Sequence, residues 1–240
     1  MLGLETLPLL EPFGDLDRQQ QLLLYAYSAA VAPPPPDWGK WIEVTGYWFL
    51  DRPTDWRPPP ALAAFLDEGP PPVCIGFGSM TNRDPTELAR TVARALDLTG
   101  QRAVVLTGWG GLPPGELPRE IFAIDSVPHD WLFPRVAAVV HHGGAGTTAA
   151  GLRAGVPTII VPFFADQFFW GKRVFDLGVG PRPIPRKRLD ADTLATAIWA
   201  ATTDPDMHGR ASALSERIRA EDGVARAVAT FERHMQRPRD

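Results

Sequence analysis

Cysteine is nearly absent: Cys74 is the only one in 240 residues, so no intramolecular disulfide framework can form. It lies in the apolar run VCIGFG, where a free thiol packs as a small hydrophobe, and a buried, inert Cys74 is expected. Excess positive charge is missing too. With 24 Lys and Arg against 28 Asp and Glu the net charge is −4, which argues against a phosphate-backbone binder and any nucleic-acid partner, while a local anion site stays open. No uninterrupted apolar run approaches the roughly 20 residues of a membrane span, and no basic region followed by an apolar stretch opens the chain. The expectation is a cytoplasmic chain, with peripheral contact to a membrane left open. Two nucleotide fingerprints are also lacking. GFGSMT has Thr81 where a dinucleotide loop needs its third glycine, and no GK[ST] follows any glycine loop, so neither NAD nor ATP is favoured.

What is present suffices for a folded core, with 45% hydrophobic and 22% charged residues. Composition changes once, near residue 72. Residues 1–72 hold a helix-like apolar patch, QQQLLLYAYSAAV, and then a stretch so rich in proline that long regular elements are excluded. This segment reads as helix plus linker, with Pro33–Pro36 a stiff connector and the nearby tryptophans pinning it down. From Val73 to the end, short β-rich runs ending in glycine or polar residues alternate with helical stretches, which is the pattern of repeated strand-helix-strand units. Strands are expected at Val73 to Gly78, Ala103 to Gly108, Ile121 to Asp125, Ala137 to His141 and Thr158 to Pro162. Helices are expected at Thr86 to Leu98, Thr147 to Ala154 and Gln167 to Leu177, with three more between Asp190 and Met235. All-apolar strands such as AAVV and TIIV suit a parallel sheet covered on both faces, so the fold class is α/β, doubly wound and Rossmann-like, with residues 73–240 as its domain.

Ligands of such sheets bind beyond the carboxyl ends of the strands, where Gly76, Gly78, Gly108, Gly110, Gly111, Gly143, Gly144 and Gly146 cluster. The run AAVVHHGGAGTT reads as strand, tight turn and helix start. Unsatisfied amides and the positive dipole end at that start suit a phosphate, and the glycines either let it approach or merely serve the turn. His141 and His142 are adjacent, so in a strand they point to opposite faces; a two-histidine metal site is improbable, and one of them should face the ligand. Asp-x-Asp pairs at Asp15/Asp17, Asp190/Asp192 and Asp204/Asp206 do not end strands beside the glycine loops and read as helix caps or turns. No metal and no cofactor are expected.

The runs GFGSM, GW, VPHDWLFPRVAAVVHHGGAGTTAAGLRAGVPTIIVPFFADQFFWGKRV and AEDGVARAV resemble the C-terminal, donor-binding domain of UDP-glycosyltransferases of the two-Rossmann-domain (GT-B) fold. They are most like sterol 3-β-glucosyltransferases and bacterial antibiotic glycosyltransferases. The likeness covers Val73 to Ala229 and is most specific over residues 125–180. It implies a UDP-sugar donor, UDP-glucose first among candidates, bound without a metal, and transfer to a hydroxyl of a lipophilic acceptor such as a sterol or natural product. Position by position, it implies that His141 donates to the donor diphosphate, with Gly143, Gly144, Ala145, Gly146 and Thr147 around it. Ser79 would approach the phosphates, Asp166 and Gln167 the sugar hydroxyls, and Val127 to His129 the edge of the uracil ring.

The sequence departs from part of the family. Ser126 stands where plant relatives stack a tryptophan on the base, and Ala149 where they place an acid for the ribose; Trp109, and after it Trp131, are candidate substitutes. A general base is expected in an N-terminal acceptor domain for which residues 1–72 leave no room, so these are read as that domain's last helix and the linker. His208 and His234 lie in polar helical segments, and the catalytic base stays unassigned. Two hypotheses follow: the donor half of a hexosyltransferase, completed by a separate acceptor-domain chain or by self-association, or a noncatalytic nucleotide-sugar binding or regulatory module. A sugar-nucleotide epimerase is a weaker third, since no acid and base around the sugar can be identified.

Overall fold

The computed structural model describes residues 18–78, 85–107 and 118–236. Its centre is a five-stranded parallel sheet. Two short strands precede it, β1 (Leu23–Tyr25) and β2 (Ile42–Val44), and then the helix α1 (Pro60–Asp67). The sheet strands are β3 (Val73–Gly76), β4 (Ala103–Leu106), β5 (Ile121–Ile124), β6 (Ala138–His141) and β7 (Thr158–Ile160). They lie in the order β5-β4-β3-β6-β7. The chain winds outward from β3 through β4 to β5 on one side and through β6 to β7 on the other. The direction of winding therefore reverses between β3 and β6, which are in register with Gly76 opposite His141.

Helices α2 (Pro85–Thr99), α3 (His129–Leu132), α4 (Ala145–Ala154), α5 (Gln167–Asp176), α6 (Ala191–Thr203), α7 (Pro205–Arg219) and α8 (Gly223–Met235) complete the order. Period-two alternation in the strands builds two cores, one on each face. Val73, Ile75, Ala103, Val105, Ala138 and Val140 pack with Leu88, Val92 and Leu96 of α2 and Leu194 and Ile198 of α6. Cys74, Val104 and Val139 face the other way, against Leu62 and Phe65 of α1 and Leu132 and Phe133. Each such Leu, Ile or Phe removed from water contributes about 1.5–3 kcal/mol. Because both faces are covered, the strand interiors are apolar on both sides, which is why the strand sequences show no polar alternation. Cys74 is buried, and burial pushes its thiol pKa up to about 12, as its place in the core demands.

The expected strands and helices of residues 73–236 are present, with shifted ends. Four strands stop one or two residues early, β6 starts one residue late and ends at His141 as expected, and α4 begins at Ala145 rather than Thr147, because the glycine turn enters the helix sooner than the residue types suggest. Asp190 caps α6, accepting from the Thr193 amide at 2.8 Å, and Asp204 caps α7 through the amides of Asp206 (2.9 Å) and Met207 (3.1 Å). These are the capping roles expected of two of the three Asp-x-Asp pairs, and the third lies outside the described residues.

The helix expected within QQQLLLYAYSAAV is a correction. Its centre is the strand β1, which pairs in parallel with β2 across Leu23↔Ile42 and Tyr25↔Val44. The apolar residues there find partners through strand pairing and through a stacked Tyr25–Trp38 contact (4.9 Å, 21°), which outweigh the local helical preference.

The chain divides into two compact units, Leu50–Ala220 and Met1–Phe49 with Glu221–Asp240. The expected division after residue 72 and these units differ. Residues from Leu50 onward tie to the sheet unit through Arg52–Asp130 (2.8 Å), Asp51–Arg153 (2.7 Å) and Trp56 against Trp131 (5.3 Å), besides the buried face of α1. In the other unit Ser28 donates to Glu221 at 2.7 Å, and Asp222 caps α8 through the Ala225 amide at 2.9 Å. Val224, Val228, Phe231 and Met235 of α8 are each about half exposed, and Ala227 is buried. Among the described residues no helix is long and apolar enough to cross a membrane.

Candidate functional site

The loops after β3, β5, β6 and β7 all leave the carboxyl end of the sheet, and the sequence-predicted residues Val127, His129, His141, Gly143 to Thr147, Asp166 and Gln167 lie on the last three of them or at their ends. The junction of β6 with α4 is the centre. Gly143 has φ +90, and a Cβ on it would stand 2.6 Å from Ile160 Cγ2, so only glycine fits both the backbone and the space. Its amide donates to His141 Nδ1 at 3.0 Å. Gly144 is the N-cap of α4 and supplies no side-chain acceptor, while its carbonyl takes the Thr148 amide (2.9 Å) and hydroxyl (3.0 Å). Ala145 and Gly146 are exposed, and a Cβ on Gly146 would meet no atom within 4 Å. The result is an open helix start of a ten-residue helix, with its dipole end free to meet an anion.

The two histidines part as strand geometry requires, their rings 6.0 Å apart and at 81°. His141 is fully buried. Because Nδ1 accepts from Gly143, the neutral ring carries its hydrogen on Nε2, and Nε2 is buried with no partner among the described residues. Burial, and after it the neighbouring His142 and His129, lowers its pKa to about 3. His142 is half-buried and lies over the glycines: a Cβ on Gly144 would be 2.5 Å from its Nε2, and one on Gly78 3.5 Å from its Cε1. Desolvation lowers its pKa while the Asp166 carboxylate works the other way.

A cavity of about 160 Å³ opens beside these rings, lined by Gly76, Ser126, Val127, His129, His141 and Thr147 among others. Val127 is buried, and His129 stacks on Phe133 (4.4 Å, 14°) with its pKa lowered by burial against the opposing pull of Asp130. At the cavity's edge Thr107 donates to Asp125 at 2.6 Å, joining the ends of β4 and β5. The sequence reading missed Phe133, Thr107 and Asp125; position just past a strand end was the available signal for the last two.

The loop after β7 carries Asp166 and Gln167. Ala165 adopts φ +53, a left-handed conformation unusual outside glycine. Gln167 is buried, and its Oε1 accepts from the amides of Phe163 (2.7 Å) and Phe164 (3.2 Å), fastening the loop. Exposed Asp166 accepts from Trp170 Nε1 at 3.0 Å, so its carboxylate is held rather than used as a cap. Trp131 is 8% exposed, packed against Trp56 and under the Arg135 guanidinium; it is a core residue and not a stacking surface. Ser79 and Trp109 lie outside the described residues. Among the described residues no three His, Cys, Asp or Glu side chains converge as a metal-ligand set.

The sequence profile of "Erythromycin biosynthesis protein CIII-like, C-terminal domain" matches residues 109–231. Over 225 residues, 89% of this chain, the sequence is 49% identical to a sterol 3-beta-glucosyltransferase of Emericella nidulans, covering 16% of that protein. It is 46% identical over 213 residues to sterol 3-beta-glucosyltransferase UGT80B1 of Arabidopsis thaliana, covering 34% of it. The chain thus spans about a third or less of these relatives. Among solved structures, the glycosyltransferase of kitacinnamycin superposes with a TM-score of 0.74 at 26% identity, over 92% of this chain and 56% of that one. The calicheamicin glycosyltransferase CalG4 superposes with a TM-score of 0.73 at 23% identity, over 91% and 53%, a likeness of fold. On these grounds the chain belongs to the EryCIII-like C-terminal domain family, the second Rossmann-like half of GT-B glycosyltransferases, close in sequence to sterol 3-beta-glucosyltransferases.

Proposed function

We propose that this chain binds a UDP-sugar, UDP-glucose first among candidates, and serves as the donor half of a hexosyltransferase that glycosylates a hydroxyl of a lipophilic acceptor such as a sterol. The observation that carries this reading is the β6–α4 junction, where an uncapped helix start, an open Gly146 and two imidazoles adjoin one cavity. In this reading the amides at the start of α4 and the histidine pair take the diphosphate. As the anomeric C–O bond breaks, negative charge grows on the leaving diphosphate oxygen, and preorganised donors stabilise it without a metal. Asp166, fixed by Trp170, presents its carboxylate to the sugar hydroxyls, while the Gln167 carbonyl holds the loop. Val127 and His129 border the base. The acceptor oxygen attacks from the opposite face, and its proton passes to a base that is not among the residues assigned here.

The test is titration calorimetry of the purified chain with UDP, in chelator and then with added magnesium. UDP should bind equally in both. Absence of binding would remove the donor site, and binding that needs the metal would overturn the mechanism.

A further inference from the structure

The loop after β7 and the outer side of α5 combine exposed aromatic rings with positive charge. Gln167, Trp170, Gly171 and Val174 bury one face of α5, and the residues between them lie toward solvent. Phe164, Phe168, Phe169 and Phe175 are each between 39% and 59% exposed. Gln167 accepts from the Phe164 amide, so this exposure belongs to a fastened loop. The segment that follows brings the charge. From Gln167 to Leu189 six Lys and Arg stand against one acid, Asp176, in a chain whose net charge is −4. Asp176 engages Lys172 (2.6 Å) and Arg173 (3.6 Å); of the acids flanking the segment, Asp166 accepts from Trp170 and Asp190 caps α6. The Arg182 guanidinium lies over the Phe175 ring at 4.9 Å. The Arg186 amide donates to the Pro162 carbonyl at 3.0 Å, which sets the turn Arg186–Arg188 beside the root of the Phe164 loop. Lys187 and Arg188 are exposed there.

We propose that this surface seats the protein on an anionic lipid bilayer, the phenylalanines entering the headgroup boundary and the basic residues meeting the lipid phosphates and carboxylates. Aromatic rings flanked by Lys and Arg suit that boundary, because the rings bury in its apolar part while long basic side chains reach back to its charge. The anionic headgroups supply the complement that the local excess of Lys and Arg requires. A second copy of the chain fits poorly, since a two-fold contact would set like charge against like. The contact is interfacial, made by side chains and not by a spanning segment. Asp166 lies between Phe164 and Phe168 in the chain. Resting on the donor reading given above, the bound sugar then lies at the bilayer surface, where a lipophilic acceptor presents its hydroxyl.

Vesicle co-sedimentation of the purified chain tests this, with vesicles of phosphatidylcholine alone and of an equal mixture with phosphatidylserine. The chain should pellet with the mixed vesicles and much less with the neutral ones. Salt at about 1 M should release it, since the Debye length there falls to about 3 Å. Lys187→Ser with Arg188→Ser should weaken binding roughly fivefold for each charge removed. Phe168→Ser with Phe169→Ser should weaken it roughly tenfold. Urea midpoints should stay unchanged in both variants, because all four side chains are exposed. Val228→Ser with Phe231→Ser on α8, the other exposed apolar stripe, should leave vesicle binding as it was. No binding to the mixed vesicles, equal binding to both kinds, indifference to either pair of substitutions on this surface, or loss in the α8 variant would overturn the proposal. Calorimetry with UDP reads the donor site separately: a chain that bound vesicles but no UDP would end the donor reading and leave the bilayer contact standing.

Discussion

At the scale of single residues, His141 ties the site to stability. Its pKa is near 3 in the fold against 6.5 for the free side chain, so the unfolded chain takes up a proton that the folded chain refuses. The contribution is complete above about pH 6.5 and is lost as pH falls, by up to about 1.4 kcal/mol per pH unit, until it levels off near pH 3. The lowered values of His129 and His142 act in the same direction. Urea midpoints measured between about pH 7.5 and 4 should therefore fall, and less steeply in His141→Gln, which has no titrating ring. Parallel profiles for the two proteins would show that His141 is protonated in the fold. The same residue marks the limit of sequence reading. That the pair splits across two faces was legible from strand periodicity, but which ring is enclosed depends on β6 lying between β3 and β7.

At the scale of elements, α8 is amphipathic, with an apolar stripe that the described residues leave about half exposed. Val224, Val228, Phe231 and Met235 recur at intervals of four, three and four, which places them on one helical face. A contiguous exposed stripe of this kind drives association. At high concentration the chain should form oligomers that dissociate on dilution, and Val228→Glu with Phe231→Glu should yield a monomer by sedimentation velocity. An unaltered oligomer in the double variant, or a strictly monomeric parent, would dismiss the stripe as a contact. Elements with strong local signals were read well, α6 and α7 with their Asp caps among them. β1 was not, because its partner β2 lies beyond a proline-rich stretch and no local pattern encodes that pairing.

At the scale of the whole molecule, binding a donor and transferring its sugar are separable. Transfer needs an acceptor hydroxyl within about 3–3.5 Å of the anomeric carbon and a base within reach of it. Of the titratable groups at the cleft, His141 is enclosed, His142 lies over the glycine turn and Asp166 is tied to Trp170. The matched segment covers only 16% and 34% of the two sterol 3-beta-glucosyltransferases compared above. Incubated with UDP-glucose and a panel of sterols and phenols, the chain should release glucose slowly to water and form no glycoside detectable by mass spectrometry. Acceptor-dependent turnover would mean that a base and an acceptor wall reside within these 240 residues.

The sequence by itself determined the layered α/β class and the strand and helix sequence after residue 73, and it pointed to the glycine-histidine turn as the candidate anion site. Those features rest on local chemistry: apolar runs, helix caps and the backbone freedom of glycine. Only the tertiary structure decided that Trp131 is core, that Gln167 fastens its own loop, and that the two histidines hold different environments. Each of these depends on which distant segment lies against the side chain, and burial and hydrogen-bond partners are set by packing across the sheet rather than by neighbours in sequence.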